Sequence, residues 1–358
     1  VERSGEICLD MTGDVTPENI FEVFVPVDSL TDVKVRISND KGKQMLAWEP
    51  EPDVIKEVPE PAKAALDPAD VRTTEQLYLT GLHLEQYRHA TYSATDYYQE
   101  AIRRDPTDVR NNNAMGLWLI RKGQFAKAEL YLRQAVKTLT ERNPNPYDGE
   151  PLYNLGLSLK YQGKTEEAYG FFYKACWNAA WQDAGYYSLA QLSVARGDWE
   201  EALYEIDKSL VRNWHNLRGR HLKATILRHL GRKEEALSLI EESLRMDRFN
   251  FGCGFEKFLL TGNDADWQTL VSLMRPEAHN YEELALDYAS AGCWEEALDV
   301  VDKAIYMNVL GQTMLHYYKS WFLICLDRKE EALAAIREAE RQTPDCCFPN
   351  ALEAILAL

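Results

Sequence analysis

The chain has 358 residues, with 46% hydrophobic and 27% charged side chains, an ordinary balance for a folded protein. Its formal net charge of −17 opposes phosphate backbones and anionic lipid. No apolar run approaches the roughly 20 residues of a membrane span, so the sequence speaks against nucleic-acid and membrane partners.

Residues 1–48 read as a β-strand segment. Ile20-Phe21-Glu22-Val23-Phe24-Val25 and Val33-Lys34-Val35-Arg36-Ile37 are rich in β-branched and aromatic residues. The second run alternates apolar and polar at period two, which predicts a half-buried strand. Asn39-Asp40-Lys41-Gly42 supplies turn chemistry, and Gln44 to Trp48 returns as the hairpin partner. So small a sheet is marginal alone. It is expected to pack on helices or to end a β-sandwich lying upstream. Residues 49–70 form a connector with Pro50, Pro52, Pro59, Pro61 and Pro68 and seven acidic against two basic side chains, an extended strap.

Residues 71–358 are helical and repetitive. Ala94, Ala128, Ala168, Ala202, Ala236, Ala297 and Ala332 recur at spacings of 34, 40, 34, 34, 61 and 35. The phrases before them match, as in Gly163-Lys-Thr-Glu-Glu-Ala168, Gly197-Asp-Trp-Glu-Glu-Ala202 and Gly292-Cys-Trp-Glu-Glu-Ala297. The glycine ends one helix in a left-handed cap, the acids open the next near its positive end, and the alanine lets two helices approach. Twelve residues earlier stands a small residue in most units: Gly116, Gly156, Ala190, Ala224, Ala285, Ser320. The 40-residue spacing contains the longer loop Arg142–Gly149. The 61-residue spacing predicts a short degenerate hairpin near Phe249–Leu260 and Ala265–Met274. Phe348–Leu358 starts a further helix.

Four and seven residues after the alanine come a large and then a small residue, as in Leu132/Ala135, Phe172/Ala175 and Val301/Ala304, and Pro106 and Pro344 close two units. With a period near 34, this small–small–aromatic–small–proline pattern resembles the tetratricopeptide repeat (TPR) family. The resemblance covers about four-fifths of the chain. It implies a mainly α fold, an α-solenoid or TPR superhelix of about eight helical hairpins. A second resemblance rests on Thr74-Glu-Gln-Leu-Tyr-Leu-Thr-Gly81 and the following helix up to Pro106. It is to a bacterial family whose full-length members carry a galactose-mutarotase-like β-sandwich before such repeats. That resemblance implies a link to carbohydrate metabolism.

Gly163-Lys164-Thr165 lacks the phosphate-loop spacing and bridges two helices. His83 and His89 do not share a helix face, and the recurring Glu-Glu pairs are helix openers. We therefore expect no catalytic residue, no metal and no cofactor. The seven cysteines are odd in number and form no Cys-x-x-Cys. No glycosylation sequon or signal peptide is present, and the chain is expected in a reducing cytoplasm.

The first helix of each unit should line a concave groove. Counting from the small position places Tyr78, Asn113, Tyr153, Tyr187, His221 and Tyr317 in one column, with Arg110 and Arg218 one turn toward the N-terminus. These eight are the candidate binding residues. The groove is expected to take a protein or peptide by aromatic stacking with one or two anion contacts through the arginines. The lysine–asparagine carboxylate clamp of chaperone-tail-binding members is not reproduced. The alternative is an accessory helical domain of a larger carbohydrate-active enzyme.

Overall fold

A computed structural model of the chain describes residues 1–14, 21–51, 63–87 and 90–342. The helix expected at Phe348–Leu358, residue Ile20 and most of the connector prolines lie outside them. The chain divides into two compact units, Val1–Ala64 and Ala65–Leu358.

The first unit is a small antiparallel sheet in the order β2-β1-β3-β4, from β1 (Glu2–Arg3), β2 (Glu6–Ile7), β3 (Val33–Ser38) and β4 (Gln44–Trp48). The expected hairpin is β3–β4, with Val35 opposite Trp48 and Ile37 opposite Leu46. The backbone turns at Asn39–Lys43, with Gly42 at a positive φ. Two expectations fail. Phe21–Val25 forms no strand; β propensity alone cannot hold a strand that has no ladder partner, and Pro26 removes a donor beside it. The β3–β4 face is also more open than half-buried. Val33 is buried, but Ile37, Leu46 and Trp48, on the same face, are 53%, 65% and 49% exposed.

The second unit holds sixteen α-helices among the described residues, arranged as eight consecutive hairpins. In order these are α1 (Thr74–Gln86) with α2 (Ala94–Arg104), α3 (Val109–Arg121) with α4 (Phe125–Thr140), and α5 (Glu150–Lys160) with α6 (Thr165–Ala175). Then come α7 (Gln182–Ala195) with α8 (Trp199–Arg212), α9 (Leu217–His229) with α10 (Lys233–Met246), and α11 (Phe251–Thr261) with α12 (Asp264–Met274). The array continues with α13 (Ala278–Ala289) and α14 (Trp294–Tyr306), then α15 (Thr313–Cys325) and α16 (Lys329–Arg341). The α11–α12 pair is the short hairpin that the 61-residue spacing called for.

Local chemistry explains the repetition. Gly123, Gly163, Gly197, Gly231 and Gly292 all take positive φ after an inner helix, and Asp327 does so in the last hairpin. Glutamate pairs open α6, α8, α10, α14 and α16. The repeat alanines from Ala128 to Ala332 are buried, whereas Ala94 is only partly so. The small inner position is a matter of space. A Cβ on Gly116 would stand 2.5 Å from Leu132, and one on Gly156 would stand 2.7 Å from Phe172. Each buried leucine or phenylalanine so admitted contributes roughly 1.5–3 kcal/mol.

The odd-numbered helices touch their next-but-one neighbours and form the inner layer; the even-numbered ones form the outer layer. The array also contacts itself at long range. Lys160 Nζ on α5 donates to Gln191 Oε1 on α7 at 2.6 Å, and Gln191 Nε2 donates to Ser290 Oγ after α13 at 2.7 Å. Gly292, between α13 and α14, lies against Ala195 at the end of α7. The seventh hairpin thus leans back onto the fourth.

Candidate functional site

The eight residues do not form one continuous strip. Tyr78 is partly exposed and carries the Arg110 guanidinium 5.3 Å from its ring centroid. Arg110 in turn pairs with Glu75 at 3.3 Å. Asn113 is buried; it donates to Glu150 at 2.9 Å and accepts from Asn154 at 3.0 Å, tying α3 to α5. Tyr153, partly buried, packs on Trp181 at 4.9 Å and Phe172 at 5.5 Å. Tyr317 is buried on α15, away from the rest, and its hydroxyl has no partner among the described residues.

Tyr187, Arg218 and His221 come together. They share a small enclosed chamber with Asp287 and Tyr288 of α13. It opens toward a cleft of about 180 Å³ between α9, the start of α11 and α13, whose lining includes Arg218, His221, Phe249, Gly252, Glu283 and Asp287. Arg218 reaches Glu283 at 3.3 Å and Asp287 at 3.2 Å. Neither arginine is therefore the free positive spot expected from the sequence. Each already faces carboxylate, and at Arg218 two acids share one cation.

Burial sets the protonation here. Loss of solvent lifts the Asp287 carboxyl to about 6, with Arg218 opposing the shift. Burial pushes the His221 imidazole down to about 4, so it is neutral at neutral pH. Its ring meets Tyr288 edge-on at 4.6 Å, and its Nε2 has no hydrogen-bond partner among the described residues. Gly252 makes room for that ring, since a Cβ there would stand 2.2 Å from it.

Behind the cleft lies a buried ionic network that the sequence reading missed. Arg228 donates to Glu256 at 2.6 Å and to Glu296 at 2.8 Å. Thr225 and Tyr288 also donate to Glu256, at 2.9 and 2.8 Å. Burial raises the Glu296 carboxyl, but hydrogen bonds from His229 and Arg228 outweigh it and hold the group at about 2. The available signal was Glu256 itself, one acid among Phe255, Phe258 and Leu259. Lys160 is a second omission. Burial lowers its amine to about 8, and the amine donates to the neutral side chain of Gln191. No cluster of three or more His, Cys, Asp or Glu placed to hold a metal occurs among the described residues.

Residues 217–250, spanning α9 and α10, match the tetratricopeptide repeat family model. The helical unit is a TPR-like solenoid. Among solved structures the chain is similar to pilF of Pseudomonas aeruginosa, at 20% identity and a TM-score of 0.48, covering 56% of this chain and 88% of that one. It is also similar to a tetratricopeptide repeat protein from Parabacteroides merdae ATCC 43184, at 20% identity and a TM-score of 0.44, covering 70% and 96%. A third is YrrB, described as a TPR protein with an unusual peptide-binding site, at 14% identity and a TM-score of 0.40, covering 56% and 99%. No helix among the described residues is long and apolar enough to cross a membrane.

Proposed function

We propose that the helical unit is a non-enzymatic scaffold that holds a protein or peptide segment against its inner helices. Proteins built on tetratricopeptide repeats are generally protein-interaction scaffolds. The observation that carries the reading is the surface left on successive inner helices. Tyr78 and Arg110, then Tyr153, then Tyr187 and Arg218 stay at least partly accessible, while the repeat alanines beneath are sealed. Tyrosine offers area together with a hydrogen bond, which suits an extended segment.

The test is panning of a random peptide library on the protein. Selected peptides should lose about tenfold or more in affinity with Tyr78→Ala plus Arg110→Ala, the scale of one lost anchor. The melting temperature should barely move. Unchanged affinity would sink the reading.

One observation favours a second reading, in which the helices serve a larger carbohydrate-active protein. The apolar β3–β4 face, with Ile37, Leu46 and Trp48, is open and suits a further β layer. A β-rich region in the reading frame around this segment, together with specific hits in a glycan screen, would support it over the scaffold alone.

A further inference from the structure

We propose that the cleft between α9, α11 and α13 seats a cationic side chain, arginine or lysine, from the bound segment, and that Arg218 is the internal occupant it displaces. The proposal rests on the scaffold reading and specifies its partner's chemistry.

Charge argues first. Glu283 and Asp287 meet a single guanidinium, at 3.3 and 3.2 Å. The neighbouring Arg228 makes its carboxylate contacts at 2.6 and 2.8 Å. Arg218 is thus loosely held, and its side chain is 62% exposed, free to swing into solvent. Among the lining residues two acids face one cation, which disfavours an anionic guest. The net charge of −17 steers basic segments toward the protein.

Shape argues second. The cleft is also lined by Phe249, half exposed, and Phe251 from the start of the sixth hairpin, and by Leu284 beside the acids on α13. Such a wall accepts the aliphatic stem of a long basic side chain, and the Phe249 ring already holds one guanidinium, that of Arg248 at 4.9 Å from its centroid. The cleft's 180 Å³ compares with the cavity of about 150 Å³ that accepts a benzene ring.

His221 is the independent observation. It lines both the cleft and the inner chamber, is 4% exposed, and has an Nε2 without a partner among the described residues. A buried polar atom left unpaired is costly. A guanidinium carries five N–H donors in a fixed fork, enough for both carboxylates.

The experiment titrates the protein with N-acetyl-L-arginine amide and with its neutral isostere N-acetyl-L-citrulline amide, followed by methyl NMR at Leu217 and Leu284. The arginine probe should shift both residues, and the citrulline probe should bind about tenfold more weakly, the value of a charge-assisted contact. Arg218→Gln should tighten the arginine probe, because it removes the competitor. Glu283→Gln with Asp287→Asn should abolish binding. Equal binding of the two probes, or weaker arginine binding in Arg218→Gln, would overturn the proposal. If the double carboxylate variant fails to fold, the sign of the Arg218→Gln effect decides alone. Loss of the probe effect, with Tyr78-dependent peptide binding intact, would remove this inference and leave the scaffold reading standing.

Discussion

Arg228 is the side chain on which the interior of the C-terminal hairpins turns. Glu256 is fully buried, and its charge is tolerated because Arg228 stands 2.6 Å away. Arg228→Ala should cost about 3–5 kcal/mol in urea unfolding, because it strands a buried carboxylate. Arg228→Met combined with Glu256→Gln should recover part of that loss, since it removes the buried charge with its partner. A cost below about 1 kcal/mol for the single variant would show that Glu256 is reached by water. The residues of the cleft make a prediction of opposite signs. The Asp287 carboxyl is raised to about 6, so the folded protein holds this proton better than the unfolded chain, and the group favours folding as pH falls from about 6 toward 4. The His221 imidazole is lowered to about 4, so its contribution is full above 6.5 and is lost as pH falls toward 4. The two oppose each other across one window. Asp287→Asn should therefore make the melting temperature fall more steeply on acidification than in the parent; parallel curves would refute the assignment. Position counting found Tyr187, Arg218 and His221 because they keep the repeat register. It missed Asp287, Glu283 and Gln191 because each pairs with a helix two or three hairpins away, outside the nearest-neighbour register.

At the scale of the helix pair, the legible features are those each hairpin needs by itself. Glycine at the left-handed turn, acids at the next helix start and alanine at the crossing are local requirements, and they recur in the sequence for that reason. Even α11 and α12 were readable, as the length left over between two good repeats. Phe21–Val25 shows the opposite case: a strand exists only where another strand pairs with it, and its own sequence does not say whether one does. The alanine crossings give a direct test. Ala202 and Ala236 are fully buried, so Ala202→Trp or Ala236→Trp should destabilise by about 1–3 kcal/mol or more through overpacking. Denaturation midpoints unchanged in both would mean that the crossings are looser than drawn.

At the scale of the whole helical unit, the deciding feature is the return of the seventh hairpin onto the fourth. Gly231 and Gly292 sit at equivalent turns, with φ of 72° and 76°. Replacing either by alanine forces an unfavourable left-handed residue at a cost of roughly 1–2 kcal/mol. Only at Gly292 would the new Cβ also stand 3.0 Å from Ala195. Gly292→Ala should therefore destabilise more than Gly231→Ala, and equal losses would show that the two hairpins do not press together. The contact has a kinetic consequence as well. An ordinary array of repeats couples each unit only to its neighbours and can unzip from an end, one unit at a time. Here the Lys160–Gln191–Ser290 chain spans 99 residues between its last two members, so the hairpins between them are enclosed in a loop that must open as a block. Hydrogen exchange should show the fourth to seventh hairpins exchanging together, through one slow cooperative opening, while the first two fray independently and much faster. Joining such distant positions also raises the contact order of the fold, so this segment should be slower to assemble than a linear stack of the same length.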